Sequence, residues 1–435
     1  MSAQVGIRLE DKNEWERRAP LIPAHVQALQ EEHDVQVCVQ ASPIRAFKRE
    51  EYELADAKIV EDLTACRTIF AIKEIPQELL EPGKTYVFFS HTIKGQEFNM
   101  PMLQRILDLR CQLIDYEKIT DESGRRLVFF GNYAGLAGMI DTLWALGQRL
   151  AWEEIPTPFS QLRPTHQYAT LEEAKAALQM VGQRIARDGL PTSLTPLICG
   201  FAGYGNVSQG AQEIYDLLPV REIAPGELAT FDARDPHHVY KVVFKEQDMV
   251  EPIAPGVAFQ LQDYYDHPEK YRSRFETYVP YLTLLVNGIY WSERYPRLVT
   301  RRFLKALFSE SPQPRLRVIG DISCDVEGAI ECNLHTTTPG DPIYVYDPLT
   351  GETHAGHQGR GVVVLAVDNL PCELPRESSA HFSTTLLPFV PEIAHADYDV
   401  PFEQSDLSPT IKRAVIVWHG QLTPDYRYLE AFLKL

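Results

Sequence analysis

The stretch LICGFAGYGNVSQGAQEIYDLL, Leu197–Leu218, decides how this chain is read. Leu194–Ala202 has the apolar run of a strand, and the residues after the glycine turn have a helix's spacing, with Val207, Ala211, Ile214 and Leu218 on one face. A strand, a glycine turn and an amphipathic helix in that order form the context of a dinucleotide-binding turn. Gly203 permits the tight bend and Gly205 lets the backbone approach a pyrophosphate. Tyr204, Asn206, Val207 and Ser208 complete the loop and the helix start, whose N–H groups and dipole favour an anion. Ser208 stands where the usual pattern has its third glycine, so the match is imperfect.

The next strand is expected at Val220–Ile223. A fold of this type that prefers NAD offers an acid at that strand's tip for the ribose 2′-hydroxyl. Here Ala224, Pro225 and Gly226 follow, with Glu222 and Glu227 nearby and Arg221 as one cation within reach of a phosphate. The missing acid tilts the expectation towards NADPH, with NADH as the alternative.

Working outward, strand-like and helix-like stretches alternate from the start. Strands are expected at Val5–Leu9, Val35–Val39, Ile69–Ile72, Tyr86–Phe89 and Gln112–Tyr116, with helices at Ile22–Leu29 and Met102–Leu109. This alternation predicts an α/β fold with largely parallel sheets. Asn132–Trp152 reads as a long apolar helix whose Ala134, Gly135, Ala137 and Gly138 suit close approach of a second backbone. An ordinary buried helix is as consistent with it. Leu171–Arg187 is amphipathic, further strands are expected at Val239–Phe244, Leu284–Tyr290 and Leu316–Ile322, and a final helix at Tyr428–Leu435. With 435 residues, two domains are the natural expectation. The boundaries drawn are a substrate domain over 1–190, a dinucleotide domain over 191–335, and a segment 336–435 that returns to the first domain.

A net charge of −18, with no cluster of Lys and Arg, argues against a nucleic-acid partner. The seven cysteines are irregularly spaced and lack a C-x-x-C pair, so reduced thiols are expected rather than a disulfide framework or a metal centre. No window approaches the ~18 apolar residues of a membrane span. A cytoplasmic protein without a membrane partner is the expectation.

Three clusters carry chemistry. EWERRAPLIP places Arg17 and Arg18 before an apolar run; adjacent arginines are more often surface residues, yet they suit a bidentate grip on a carboxylate. In IKEIP, Lys73 and Glu74 follow a short strand, and a lysine that loses solvent there can carry protons. In FFSHTIKGQ, His91 directly follows another strand. A lone strand-end histidine is more often structural, but Lys73 and His91 together fall at carboxyl ends of neighbouring strands, where α/β sheets bind ligands.

These segments resemble the lysine-ketoglutarate reductase half of the bifunctional aminoadipic semialdehyde synthases, within the alanine dehydrogenase and transhydrogenase-type superfamily. The resemblance runs in order through DKNEWERRAPLIPAHV (Asp11–Val26), FFSHTIKGQEFNM (Phe88–Met100), LIDYEKI (Leu113–Ile119) and FGNYAGLAGMI (Phe130–Ile140). It continues through GYGNVSQGAQEI (Gly203–Ile214), LVNGIYW (Leu285–Trp291), GDISCDVEGAIE (Gly320–Glu331) and VDNLPCELPRESS (Val367–Ser379). It implies two Rossmann-like domains, the dinucleotide domain inserted into the substrate domain, and a chain that carries the reductase half alone.

The resemblance also implies an activity. L-Lysine and 2-oxoglutarate would condense and the imine would be reduced by NAD(P)H to saccharopine, reversibly. Lys73 and His91 match the family's acid–base pair, Glu74 would tune Lys73, and Arg18 and Arg126 would hold substrate carboxylates. Asp325, chosen over Asp321, would contact the nicotinamide side, with His335 and Thr336 as further candidates. Three alternatives stay open: an alanine-dehydrogenase-like enzyme using ammonia, an imine reductase for another amine and keto acid, and a dinucleotide-binding regulator without catalysis. Oligomeric state and physiological direction are not legible.

Overall fold

A computed structural model describes residues 3–311 and 313–433. The chain forms two compact units, one built from residues up to Phe130 together with those from Pro375 onward, the other from Gly131–Leu374.

The first unit carries strands β1 (Ala3–Ile7), β2 (Val35–Gln40), β3 (Lys58–Val60), β4 (Thr68–Phe70), β5 (Thr85–Phe88) and β6 (Gln112–Asp115). The second carries β7 (Ile198–Ala202), β8 (Val220–Glu222), β9 (Val239–Phe244), β10 (Val250–Pro252), β11 (Tyr271–Ser273) and β12 (Leu284–Asn287). It continues with β13 (Val318–Asp321), β14 (Ile343–Tyr346), β15 (Thr353–Ala355) and β16 (Val362–Leu365). The chain then returns to the first unit as β17 (Val415–Trp418) and β18 (Gln421–Leu422).

The first sheet runs β18-β17-β6-β5-β4-β1-β2-β3, parallel from β6 to β3, with antiparallel β17 and β18 at one edge. Its central strands are buried along their length, which is why they read as continuous apolar runs rather than alternating ones. The second sheet runs β15-β14-β16-β13-β12-β7-β9-β8, parallel except for β14 and β15. One face packs on the helices Gly131–Trp152, Leu171–Asp188 and Asn206–Tyr215, and the other on a second apolar core around Phe244, Phe275 and Tyr278. Among the described residues no helix is long and apolar enough to cross a membrane.

These units divide the chain differently from the expected boundaries at 190 and 335. The helices Gly131–Trp152 and Leu171–Asp188 share the second unit's core, and β14–β16 extend the second sheet, so the chain re-enters the first unit only at Pro375. The expected final helix is a 3-10 run over Pro424–Ala431, and part of that expectation, Lys434 and Leu435, lies outside the described residues.

The small residues of Gly131–Trp152 serve an approach within the second unit. A Cβ on Gly135 would stand 1.9 Å from the Val207 carbonyl oxygen, and one on Gly210 would stand 2.1 Å from that of Asn132. Two glycines on crossing helices thus let this helix lie directly on the helix that opens at Asn206. An alanine normally stabilises a helix over glycine by about 1 kcal/mol. At position 135 the clash reverses the sign: G135A is expected to lose about 1–3 kcal/mol in urea denaturation. G226A, with nothing within 4 Å of the added carbon, serves as the near-neutral control.

A second constraint closes the ends of this unit. Asp141, in the first long helix, and Glu373, one residue before the unit's end, are fully buried. Asp141 Oδ1 accepts the Thr165 N–H at 2.7 Å and Glu373 Oε2 accepts that of His166 at 3.2 Å. The other oxygens, Asp141 Oδ2 and Glu373 Oε1, are buried with no hydrogen-bond partner among the described residues, and the Glu373 charge further opposes ionisation of Asp141. Burial pushes Glu373 up to about 8 and Asp141 well above its ordinary value. The folded state therefore holds protons that the unfolded chain releases near pH 4–5. Stability from this pair is full below that range and falls as pH rises towards 8. E373Q is expected to flatten that part of a stability-against-pH curve, and an unchanged slope would show the pair is not proton-linked.

Candidate active site

At the centre of the first sheet, β6, β5, β4 and β1 lie side by side, and a polar residue stands at or just past the carboxyl end of each: Asp115, His91, Lys73 and Glu10. Apolar strands bury their length and leave their ends to the ligand side of the sheet.

Glu10 holds the backbone there. Its two carboxylate oxygens accept the N–H groups of Ile72 and Lys73, at 2.6 and 3.0 Å. Burial and the neighbouring Glu16 charge raise its pKa. The Lys73 side chain is largely buried, and its pKa is lowered by desolvation and by the nearby positive charges of Arg18 and Lys12, against the opposing pull of Glu16 and Glu74. A lysine in that state gives up its proton more readily than an exposed one. Glu74, the next residue, accepts from His91 Nδ1 at 2.5 Å and lies 3.4 Å from Lys12 Nζ. Burial would raise Glu74, but the His91 hydrogen bond and charge and the Lys12 charge outweigh it and hold the carboxyl at about 2. An ionised Glu74 on Nδ1 leaves His91 Nε2 as the nitrogen for exchanging protons with a substrate. His91 itself has a left-handed backbone, φ 49°, fixed by the Asn99 amide on its carbonyl at 3.2 Å. Strained non-glycine backbone of this kind marks a residue whose direction matters.

Arg18 is buried and engaged. Its Nε and Nη2 sit 2.7 and 2.6 Å from the two oxygens of Glu16, and its guanidinium lies 4.2 Å from the centroid of the Phe130 ring. It acts on Lys73 by its charge, and a carboxylate ligand would have to share it with Glu16. Arg17 is bonded to the Ile44 carbonyl instead. Arg126 is half exposed and pairs with Glu117 at 3.0 Å.

Sequence reasoning passed over Glu10, Glu16 and Asp115. Glu10 and Asp115 were open to the same argument that singled out Lys73 and His91, since each follows or ends a parallel strand. Asp115 accepts the Ser90 N–H at 3.0 Å, the Ser90 hydroxyl, and the Glu117 N–H at 2.8 Å, tying the loop before His91 to the end of β6.

In the second unit the glycine turn fits a dinucleotide. Gly203 has φ +93°, and a Cβ there would meet Ile289 at 2.8 Å. Gly205 caps the helix Asn206–Tyr215 with no side chain in the way and open space beside it. Tyr204 and Asn206 are exposed at the turn, whereas Ser208 is buried and accepts from Gln212 at 3.0 Å. Among the described residues no carboxylate or hydroxyl caps the helix start, whose N–H groups are positioned for phosphate oxygens. The third-glycine role of close packing has passed to Gly210.

At the ends of β12 and β13, Asp321 rather than Asp325 is the buried acid. It accepts from Asn287 and Asn333, each at 2.8 Å, and burial pushes it up to about 6. Asp325 is exposed. The His335 ring lies tilted against that of Tyr344, with ring centroids 4.3 Å apart.

Two family descriptions match the chain: the alanine dehydrogenase/PNT N-terminal domain over residues 6–137 and the alanine dehydrogenase/PNT C-terminal domain over 267–425. The bovine (Bos taurus) mitochondrial alpha-aminoadipic semialdehyde synthase is 38% identical over 98% of this chain and 48% of its own length. The Arabidopsis thaliana synthase is 39% identical over 99% of this chain and 41% of its own. The chain thus spans about half the length of these relatives. An Emericella nidulans saccharopine dehydrogenase (NAD(+), L-lysine-forming) is 28% identical over 89% of this chain and 91% of its own. Among solved structures, an L-alanine dehydrogenase superposes with a TM-score of 0.63 at 18% identity, covering 99% of both chains, a likeness of fold.

If Glu10 sets the Lys73 turn, E10A is expected to cost about 1–3 kcal/mol in urea denaturation, because two backbone donors lose their acceptor. E10Q, which keeps one acceptor oxygen, should cost less. Equal stability of E10A and the parent chain would remove Glu10 from this role.

Proposed function

Because the chain belongs to the alanine dehydrogenase/PNT family, we propose that it is a nicotinamide-dependent oxidoreductase acting on a CH–NH bond. It joins L-lysine to 2-oxoglutarate and reduces the imine to saccharopine. The observation that carries the reading is the Lys73–Glu74–His91 group: a desolvated lysine beside a histidine whose Nδ1 is held by an ionised carboxylate. The relatives named for aminoadipic semialdehyde synthesis and for lysine-forming saccharopine dehydrogenation support the choice of substrates.

The chemistry needs protons to move in both directions. The ε-amine of lysine must be neutral to attack the ketone, and the carbinolamine that forms must lose water, which calls for a base and then an acid. His91 Nε2 can take the proton of the amine. Lys73, its hold on a proton weakened by burial and by Arg18 and Lys12, can deliver one to the departing hydroxyl. Glu74 orients His91 and stabilises its cation when it forms. The dinucleotide supplies hydride to the imine carbon when bound. Gly203, Gly205 and the start of the Asn206–Tyr215 helix would hold its phosphates, with Tyr204, Asn206, Val207 and Ser208 completing the loop. NADPH is the proposed cofactor. Arg18 and Arg126 remain the proposed carboxylate contacts, and Asp325 the proposed contact on the nicotinamide side. The product's three carboxylates give arginines a purpose in an otherwise acidic chain.

Reduced dinucleotide is expected to be oxidised only when lysine and 2-oxoglutarate are both present, as followed by nicotinamide absorbance. Oxidation with ammonia and pyruvate instead would replace this reading by an alanine dehydrogenase. K73M and H91Q are each expected to lower kcat by about 100-fold or more, with dinucleotide affinity retained in a fluorescence titration. Loss of affinity in either variant would place that residue outside the proton-transfer role.

A further inference from the structure

The dinucleotide turn lies in a sheet whose strand order differs from the chain order. The helix after the turn leads to β8, yet the strand hydrogen-bonded to β7 on the side away from β12 is β9, and β8 is displaced to the edge. In a dinucleotide fold the strand beside the turn strand carries, past its carboxyl end, the residue that meets the adenosine ribose. Here that strand is β9.

The register places its end at the turn. Ala202 pairs with Phe244, and the Gly203 N–H donates to the Phe244 carbonyl at 3.0 Å, so Lys245 is the first residue beyond a strand bonded directly to the glycine turn. β8 stops short. Its last residue, Glu222, pairs with Lys241, three residues before Phe244, which at ~3.3 Å per residue is about 10 Å below the turn. Arg221 pairs with Tyr240, at the level of the amino-terminal residue of β7, and its guanidinium is 3.3 Å from Asp235.

At the end of β9, Lys245 is exposed and its Nζ lies 5.8 Å from the ring centroid of Tyr204, the middle residue of the G-x-G turn. Its own N–H is fixed on Asp248 Oδ2 at 2.9 Å, and among the described residues its ammonium is in no ion pair. The acid beside it is engaged: Glu246 accepts from the Tyr265 hydroxyl at 2.8 Å, and its charge bears on the Tyr204 hydroxyl. A flexible ammonium standing over the turn is suited to a phosphate dianion.

Resting on the dinucleotide reading above, we propose that Lys245 binds the 2′-phosphate of NADPH and so selects it over NADH, with Tyr204 as the wall beneath it. The test is direct binding to the full chain: titration with NADPH and with NADH, and displacement of NADPH by adenosine 2′,5′-bisphosphate, for the parent chain, K245M and K245R. The parent chain is expected to bind NADPH more tightly than NADH. K245M should weaken NADPH and the bisphosphate about tenfold or more while leaving NADH within about twofold, and K245R should retain most NADPH affinity. A parent chain that prefers NADH would overturn the proposal and point to Glu246 accepting a 2′-hydroxyl. Equal weakening of both dinucleotides, or no change in K245M, would also overturn it. These affinities are measured without amine or keto acid, so an error about the substrates leaves them untouched. A parent chain that binds neither dinucleotide would remove this proposal and the dinucleotide reading together.

Discussion

Charge buried at the ends of parallel strands is the constraint on which the first unit depends. Glu10, Glu16, Arg18, Lys73, Glu74 and His91 lie out of bulk solvent to differing degrees, and an isolated charge there would cost several kcal/mol. Each is therefore answered: Arg18 by Glu16, His91 by Glu74, Glu10 by two backbone N–H groups. Lys73 is the member answered least well, since two cations act on it as well as two acids. Burial is the main source of its lowered affinity for a proton, and the two cations add to it. A more complete neutralisation would make a quieter core and a poorer proton carrier.

The second unit meets a different constraint, close approach of backbones. Gly135 and Gly210 let two helices cross at the point where one of them begins, and that beginning is the turn offered to phosphate. The turn is further tied to β9 through Gly203 and to β12 through Gly288, where a Cβ would meet Val207 and Ser208 at 3.2 and 3.3 Å. A phosphate site built from backbone N–H groups has no side chains to adjust, so its precision comes from what the helix is packed on.

Strand positions were legible because burial leaves a local mark. β9 falls where expected and most of the other expected strands agree within three residues at either end, while β3, β10, β11 and β14–β18 were not singled out. The pairing of a lysine and a histidine at neighbouring strand ends was legible for the same reason, since both directly follow apolar runs. Arg18 was not: its partner Glu16 is two residues away in an irregular segment, where no periodicity announces a contact. Nor were the unit boundaries, because the helices Gly131–Trp152 and Leu171–Asp188 have apolar faces that could have served either sheet.

By itself the sequence determined the α/β class, the glycine turn with its following helix, and the residue types available at the strand ends. All of these are set by spacing within a few residues. The tertiary structure decided which strand lies beside the turn, which acid holds which base, and where the chain passes from one unit to the other. Those are choices among non-local pairings between segments of similar apolar character. β8 and β9 differ too little in pattern for spacing to say which of them reaches β7, and their backbone hydrogen bonds, which do say so, exist only once the sheet has formed.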